Sequence, residues 1–143
     1  MRKRRFALSD GKGFTLVELL VVMVIIGLLA TLVAPGIIKR LGQSQQKAAR
    51  AQIASIEQAL DKFRLDTGRY PSTEEGLNAL LTNPGIDAWD GPYVKASILK
   101  DPWGRPYYYQ FPGSHGELDI YSYGRDGVPG GEKEDKDVTN WEE

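Results

Sequence analysis

The chain has 143 residues, a formal net charge of −1, no cysteine and one histidine. This length suits one modest domain together with an anchor segment. The lack of cysteine excludes disulfides and cysteine-ligated metals, and a single histidine leaves little for zinc catalysis.

Charge is unevenly distributed along the chain. Residues 1–13 carry five basic residues (Arg2, Lys3, Arg4, Arg5 and Lys12) against Asp10, a net charge of +4, whereas the remaining residues carry a net charge of −5. This distribution indicates no basic patch for nucleic acid. The basic leader instead favours a cytoplasmic N-terminus, with the C-terminal part of the chain across the membrane.

Residues 14–38 form an apolar run of 25 residues with one charge, Glu18. A helix of about 20 apolar residues crosses a bilayer, so the run predicts a transmembrane segment. A secretory signal peptide is the competing interpretation, but its apolar core is usually shorter and its cleavage site follows that core. Pro35, near the end of the run, predicts either a kink in the free subunit or a local loss of helix on assembly.

Glu18 is the unusual residue of this segment, because a carboxylate in a membrane is costly unless it has a partner. It lies one helical turn after Phe14, on the same face. Cleavage between Gly13 and Phe14 would create an α-amino group that could neutralise Glu18 in the same copy or in a neighbouring one. An ordinary interfacial glutamate is the alternative.

Residues 39–67 predict the continuation of the same helix in amphipathic form. Apolar side chains recur at a spacing of three or four residues, which places them on one face; they are Ala49, Ile53, Ile56, Leu60 and Phe63. Gly68 is a typical residue after a helix end, and Pro71 follows it closely. The sequence therefore predicts one nearly continuous helix over residues 14–67, whose second half offers an apolar stripe to a small head.

The head begins with a second, short helix, for which Ser72 and Glu75 form a capping-box pattern. Residues 82–106 are rich in proline, glycine, aspartate and tryptophan and predict a long ordered loop. Three aromatic residues of this loop are candidate anchors in the core: Trp89, Tyr93 and Trp103.

Two strands are predicted after this loop. The aromatic run 107–111 and the alternating run 118–123 are β-prone and are separated by a turn sequence at 112–116. Ser114 and His115 are adjacent in that turn, but the glycines of a nucleophile elbow are missing, so a hydrolase site is not favoured. The tyrosines could stack a sugar or a base, although at strand spacing core and sheet surface are the favoured roles.

The C-terminal region is a glycine-rich loop crowded with acids: Asp126, Glu132, Glu134, Asp135 and Asp137. Calcium prefers six to eight oxygens from carboxylates and loop carbonyls, which such a loop supplies. The spacing is not that of an EF-hand. A solvated acidic tail is the alternative, and Trp141 favours an ordered loop.

The run Gly13-Phe-Thr-Leu-Val-Glu18, which follows a basic leader, resembles the class III signal of type IV pilin-like proteins. The resemblance implies that a prepilin peptidase cuts after Gly13 and methylates the new N-terminal Phe14. It also implies that Glu18 acts in assembly.

Four further segments resemble the major pseudopilins of type II secretion: residues 69–81, 100–107, 122–127 and 137–141. This resemblance covers the chain from Gly13 onward and implies a periplasmic pseudopilus of many copies. It further implies calcium binding by the C-terminal loop. The matching ligands are the carbonyls of Tyr123 and Val128 and the side chains of Asp126, Asp135 and Asp137.

The expected fold is therefore α+β and type IV pilin-like: a long N-terminal helix packed on a small antiparallel sheet, with a C-terminal calcium-binding loop. The expected organisation is a cytoplasmic leader at 1–13, a transmembrane and assembly segment at 14–38 and a periplasmic head at 39–143.

The expected function is that of the major structural subunit of the pseudopilus, without enzymatic activity, in the inner membrane. Its expected partners are copies of itself, minor pseudopilins, prepilin peptidase, the inner-membrane assembly platform and the membrane, with no nucleic acid. A type IV pilin for adhesion, motility or DNA uptake is the alternative.

Overall fold

The structure is a computed structural model, and it describes residues 11–142. Most of the leader predicted at 1–13 therefore lies outside the described residues. The chain forms two units, one ending at Ile38 and one beginning at Lys39. Within residues 11–142, the first unit contributes helix and the few residues before it, and the second contains all of the sheet.

One long helix, α1, spans Leu16–Thr67. It starts two residues later than expected, because Thr15 and Glu18 form a reciprocal capping box at its start. Its end is as predicted: Gly68 has a φ of 85°, and its amide donates to the carbonyl of Arg64 at 2.8 Å. The helix continues through Pro35 in this single chain. Loss of helix there on assembly stays a prediction.

Three short strands make one antiparallel sheet in the order β1-β2-β3. They are β1 (Tyr108–Gln110), β2 (Asp119–Ser122) and β3 (Val138–Thr139). In register, Tyr109 pairs with Ile120, and Ser122 pairs with Val138. The first two strands were predicted. The third was missed because two residues beside an acidic loop are too short to show alternation.

The core of the second unit lies between the C-terminal part of α1 and the sheet. Its fully buried members include Ile56, Leu60 and Phe63 from the helix and Ile120 from β2. The aromatic anchors predicted in the long loop are confirmed, since Trp89, Tyr93 and Trp103 are partly buried and pack against this core. The predicted α+β arrangement of one long helix on a small antiparallel sheet is thereby confirmed.

The short helix after Tyr70 differs from the expectation. Ser72 and Glu75 do exchange the hydrogen bonds of a capping box, at 3.1 and 3.2 Å. However, Gly76 has a φ of 62°, which ends the turn, and a 3₁₀ helix then spans Leu77–Leu80. The capping pattern therefore closes a single turn instead of starting an α-helix.

Candidate functional sites

The first candidate site is the segment around Gly13 and Phe14, just before α1. Phe14 is 80% exposed, and a Cβ placed on Gly13 would meet no atom within 4 Å. Nothing in the described chain therefore requires glycine at position 13. A requirement for glycine there must come from a partner, as a peptidase that needs access to the peptide bond would impose.

Glu18 also has a role within the chain, which is to cap the start of α1. One carboxylate oxygen accepts a hydrogen bond from the amide of Thr15 at 3.1 Å, and the hydroxyl of Thr15 accepts one from the amide of Glu18. The pattern Thr-x-x-Glu before an apolar run is the signal that could have found it. In the uncut chain Glu18 is thus a helix cap, because the nitrogen of Phe14 is still an amide.

The first part of α1 exposes its apolar side chains. Every large apolar side chain from Leu16 to Ile38 is about half exposed or more, with Val22 the least exposed at 48%. This part of the helix is long and apolar enough to cross a membrane. An exposed apolar surface of this size indicates a membrane or protein partner.

The second candidate site is the C-terminal loop at 123–137, between β2 and β3. Its beginning is held by the preceding loop. The guanidinium of Arg105 donates to the carbonyls of Gly124 and Arg125 at 3.0 and 3.2 Å. Buried Asp101 accepts a 2.6 Å hydrogen bond from the hydroxyl of Ser122, at the end of β2. Asp101 and Arg105 were not predicted as functional residues, although both lie in the segment 100–107 that resembles the major pseudopilins.

Asp135, one of the expected calcium ligands, faces Arg125 in this structure. Its two carboxylate oxygens accept hydrogen bonds from Nε and Nη2 of Arg125 at 2.9 and 3.2 Å. These hydrogen bonds and the charge of Asp135 raise the pKa of Arg125. A cation would therefore have to compete with Arg125 for this carboxylate, and the role of Asp135 as a ligand stays a prediction.

Asp137 and Asp126 are placed differently. Oδ2 of Asp137 accepts a hydrogen bond from the amide of Gly130 at 3.0 Å, whereas its Oδ1 is buried and has no partner among the described residues. Asp126 accepts a hydrogen bond from the amide of Val128 at 3.2 Å. A buried carboxylate oxygen without a partner is costly. Oδ1 of Asp137 is the atom that a bound cation would satisfy.

No three acidic or histidine side chains among residues 11–142 converge closely enough to hold a metal ion by themselves. The donor set of the loop is therefore compatible with calcium only if backbone carbonyls supply much of the coordination. The carbonyls expected to do so are those of Tyr123 and Val128. Tyr123 lies beside β2, where its ring packs against Tyr108 and Tyr121 at centroid distances of 4.8 and 5.3 Å.

Ser114 and His115 do not form a catalytic pair in this structure. The hydroxyl of Ser114 accepts a hydrogen bond from Gln110 at 3.3 Å, and Nδ1 of His115 lies 2.9 Å from buried Asp119. Burial disfavours the charged form of Asp119. Hydrogen bonds from His115 and from the amide of Ser114 outweigh burial and hold its pKa below the usual value. These residues stabilise the turn between β1 and β2.

Trp141 orders the C-terminus, as expected. Its ring stacks on His115 with a centroid distance of 4.0 Å and meets Tyr121 edge-on at 5.6 Å. Asn140 adds hydrogen bonds to Glu57 of α1 at 2.9 Å and to the carbonyl of Leu118 at 3.0 Å. The end of the chain is thereby attached to both the helix and the sheet.

Comparisons with known proteins agree with this arrangement. The profile of the family described as "Type II secretion system (T2SS), protein G" matches residues 36–141, and that of the "Prokaryotic N-terminal methylation motif" matches residues 9–34. The chain is 44% identical to type II secretion system core protein G of Pseudomonas aeruginosa over 134 residues, covering 91% of this chain and 94% of that protein. It is 42% identical to the protein of the same name from Aeromonas hydrophila over an alignment of 146 positions, which covers 99% of this chain and 96% of that protein.

A solved structure shows the same likeness. It is the crystal structure of the major pseudopilin from the type 2 secretion system of enterohaemorrhagic Escherichia coli. It superposes with a TM-score of 0.60 and 34% identity, covering 71% of this chain and 87% of that one.

Proposed function

Since the chain belongs to the type II secretion system protein G family, we propose that it polymerises in the periplasm to drive export of folded proteins through the outer membrane. Its general role follows from membership of the family. The chain is a structural subunit of the type II secretion pseudopilus and not an enzyme, and it assembles with other components of that system. The methylation motif and the apolar helix fit a membrane-anchored pseudopilin.

The observation that carries the proposal is the exposed apolar surface of residues 16–38. Within one chain none of these side chains is buried, and a soluble monomer does not tolerate exposed apolar side chains over so large an area. A membrane before assembly and neighbouring copies after assembly would each remove this surface from water. We propose the inner membrane as the first environment, with the leader in the cytoplasm and the head at 39–143 in the periplasm.

Processing comes before polymerisation in this proposal. Prepilin peptidase would cut between Gly13 and Phe14 and methylate the nitrogen of Phe14. The exposure of Phe14 and the open space around Gly13 support access to this bond. The proposed partners in the later steps are the inner-membrane assembly platform and the minor pseudopilins.

Cleavage would change the partner of Glu18. In the uncut chain its carboxylate caps α1 through Thr15. After cleavage Phe14 carries a positive amine, and methylation at nitrogen preserves this charge. Within an apolar bundle an unpaired charge is strongly disfavoured, so we propose that Glu18 neutralises the amine of a neighbouring copy.

Three variants separate this pairing from helix capping. Glu18→Ala removes the charge and the hydrogen bond that the Glu18 side chain accepts from the amide of Thr15. Glu18→Gln removes the charge but keeps an oxygen that can accept this hydrogen bond. Thr15→Ala keeps the charge and removes the hydroxyl that accepts from the amide of Glu18. We expect all three to be cleaved and inserted. Glu18→Ala and Glu18→Gln should form few pseudopili in sheared-filament assays and secrete little, whereas Thr15→Ala should assemble. Abundant filaments from Glu18→Gln would show that the charge is not needed.

We also propose that the C-terminal loop binds calcium. Asp126 and Asp137 would supply side-chain oxygens, and Tyr123 and Val128 would supply carbonyls. The unpartnered Oδ1 of Asp137 supports this assignment. Asp135 would join only after release from Arg125. Bound calcium would replace repulsion between carboxylates with ligation and hold the loop against the sheet.

A further inference from the structure

A basic groove lies on the head between the first turns of its helix and the C-terminal loop. Its volume is about 600 Å³. It is lined by Lys39, Gln43, Gln46, Lys47, Arg50, Lys133, Glu134 and Lys136. None of the functions described above uses this groove.

The two walls of the groove are joined by specific contacts. The side-chain amide of Gln46 donates to the carbonyls of Glu134 and Lys136 at 3.1 and 2.9 Å. Gly42 lets the side chain of Glu134 pack directly on the helix, because a Cβ at Gly42 would overlap the Glu134 side chain. The groove is therefore held in shape by the fold and is not a chance gap between mobile side chains.

The charge of the groove is opposite to that of the chain around it. Five of its lining side chains are basic and one, Glu134, is acidic, whereas residues 14–143 together carry a net charge of −5. Lys136 forms a long ion pair with Glu142, with 3.8 Å between Nζ and the carboxylate oxygen, and both side chains are about half exposed. Clustered ammonium and guanidinium groups of this kind attract and hydrogen-bond phosphate groups.

The position of the groove in the sequence indicates the source of the phosphate. Lys39 immediately follows the apolar residues 14–38. Lys47 and Arg50 follow Lys39 within about 17 Å of helix length. Basic residues on this side of a membrane span run against the usual distribution of charge. Binding of anionic headgroups next to the span is a physical reason for them.

We propose that this groove binds the headgroup of an anionic phospholipid at the surface of the membrane that holds the subunit. The inference rests on the proposed membrane anchoring. Bound lipid would hold the base of the head at the membrane surface, and its release would accompany extraction of the subunit into a filament. Each basic residue near an anionic membrane strengthens binding to that membrane about five-fold at low salt, and the effect weakens as the salt concentration rises.

Native mass spectrometry of the full-length chain in detergent tests this inference without requiring secretion. Phosphatidylglycerol and phosphatidylcholine would be titrated separately, with inorganic phosphate as a third probe. The variant Lys47→Gln/Lys133→Gln removes two charges from the groove. The matched control Lys95→Gln/Lys100→Gln removes two from the exposed surface outside its lining.

We expect the unmodified chain and the control to retain phosphatidylglycerol over phosphatidylcholine, and the groove variant to lose at least about tenfold of that preference. Equal retention of both lipids by the unmodified chain would overturn the proposal. The same preference for phosphatidylglycerol in the groove variant and in the control variant would also overturn it. Saturation by inorganic phosphate at the same concentration as the lipid would show general anion binding and also overturn it. A groove variant that keeps lipid but forms no filaments would instead assign the groove to a contact between copies.

Discussion

The two parts of α1 differ in where their apolar side chains find partners. From Leu16 to Ile38 every large apolar side chain is about half exposed or more, whereas Ala49, Ile56 and Phe63 in the later part are fully buried within the chain. Both parts are regular helix. The comparison teaches that the later part determines the fold of the head, while the earlier part is built for a partner outside the chain.

The largest effect is expected at the start of the earlier part, where Gly13→Val should leave almost all of the precursor uncut. The structure leaves room for a side chain at this position, so the block would come from the peptidase and not from misfolding. Mass spectrometry of the N-terminus in cells measures the cut fraction.

Gly11→Val is the matched control for Gly13→Val, because Gly11 is equally open and lies two residues upstream of the bond. It should be cut normally. Normal cleavage before Phe14 in Gly13→Val would show that the peptidase does not require this glycine.

The later part of α1 should respond to truncation through stability. Phe63 is fully buried and meets the ring of Tyr93 edge-on at 5.6 Å. Phe63→Ala should lower the free energy of unfolding of the head by about 3–5 kcal/mol. Leu29→Ala, in the earlier part, should change it by less than about 0.5 kcal/mol. Urea unfolding of the full chain in detergent, followed by tryptophan fluorescence, compares them; similar losses in both variants would break the distinction between the two parts.

The C-terminal loop of the head contains a buried carboxylate oxygen, Oδ1 of Asp137, that has no partner among the described residues. If calcium binds there, a hundredfold excess over Kd should stabilise the head by about 2.7 kcal/mol. Its melting temperature should then be higher with calcium than after calcium has been removed by a chelator. Calcium should also slow proteolysis near the C-terminus. Sodium at matched ionic strength should have no such effect.

Variants in the loop sharpen this prediction. Asp126→Ala and Asp137→Ala should each remove most of the calcium effect and impair secretion, whereas exposed Asp87→Asn should retain it. Cleavage at Gly13 should be unchanged in all three. A melting curve that ignores calcium would favour the solvated acidic tail.

Asp119 contrasts with Asp137, because both of its carboxylate oxygens accept hydrogen bonds within the chain. Its pKa is lowered, so its contribution is present at neutral pH and is lost as the pH falls below about 4, the ordinary value for aspartate. Asp119→Asn should lower the free energy of unfolding by about 1–2 kcal/mol at neutral pH and flatten its fall in acid. Unfolding curves from about pH 6 to pH 3 measure this. An unchanged acid slope would show that Asp119 does not contribute to it.

The sequence alone was sufficient for the features that depend on local pattern. The sequence correctly predicts the apolar run, the spacing of Ile53, Ile56 and Leu60, and the end of α1 just before Gly68, because helix periodicity and capping act between residues close in the chain. Strands β1 and β2 were visible for the same reason, since each carries β-prone residues on either side of a turn.

Only the tertiary structure decided which distant groups meet. The two-residue strand β3 exists because β2 offers it an edge, and Asp135 turns to Arg125 while Asp137 keeps a buried oxygen without a partner. The basic groove likewise joins side chains more than 80 residues apart, through Gln46 and the carbonyl of Glu134. Such contacts depend on how the chain folds back on itself, and no spacing between neighbouring residues records them.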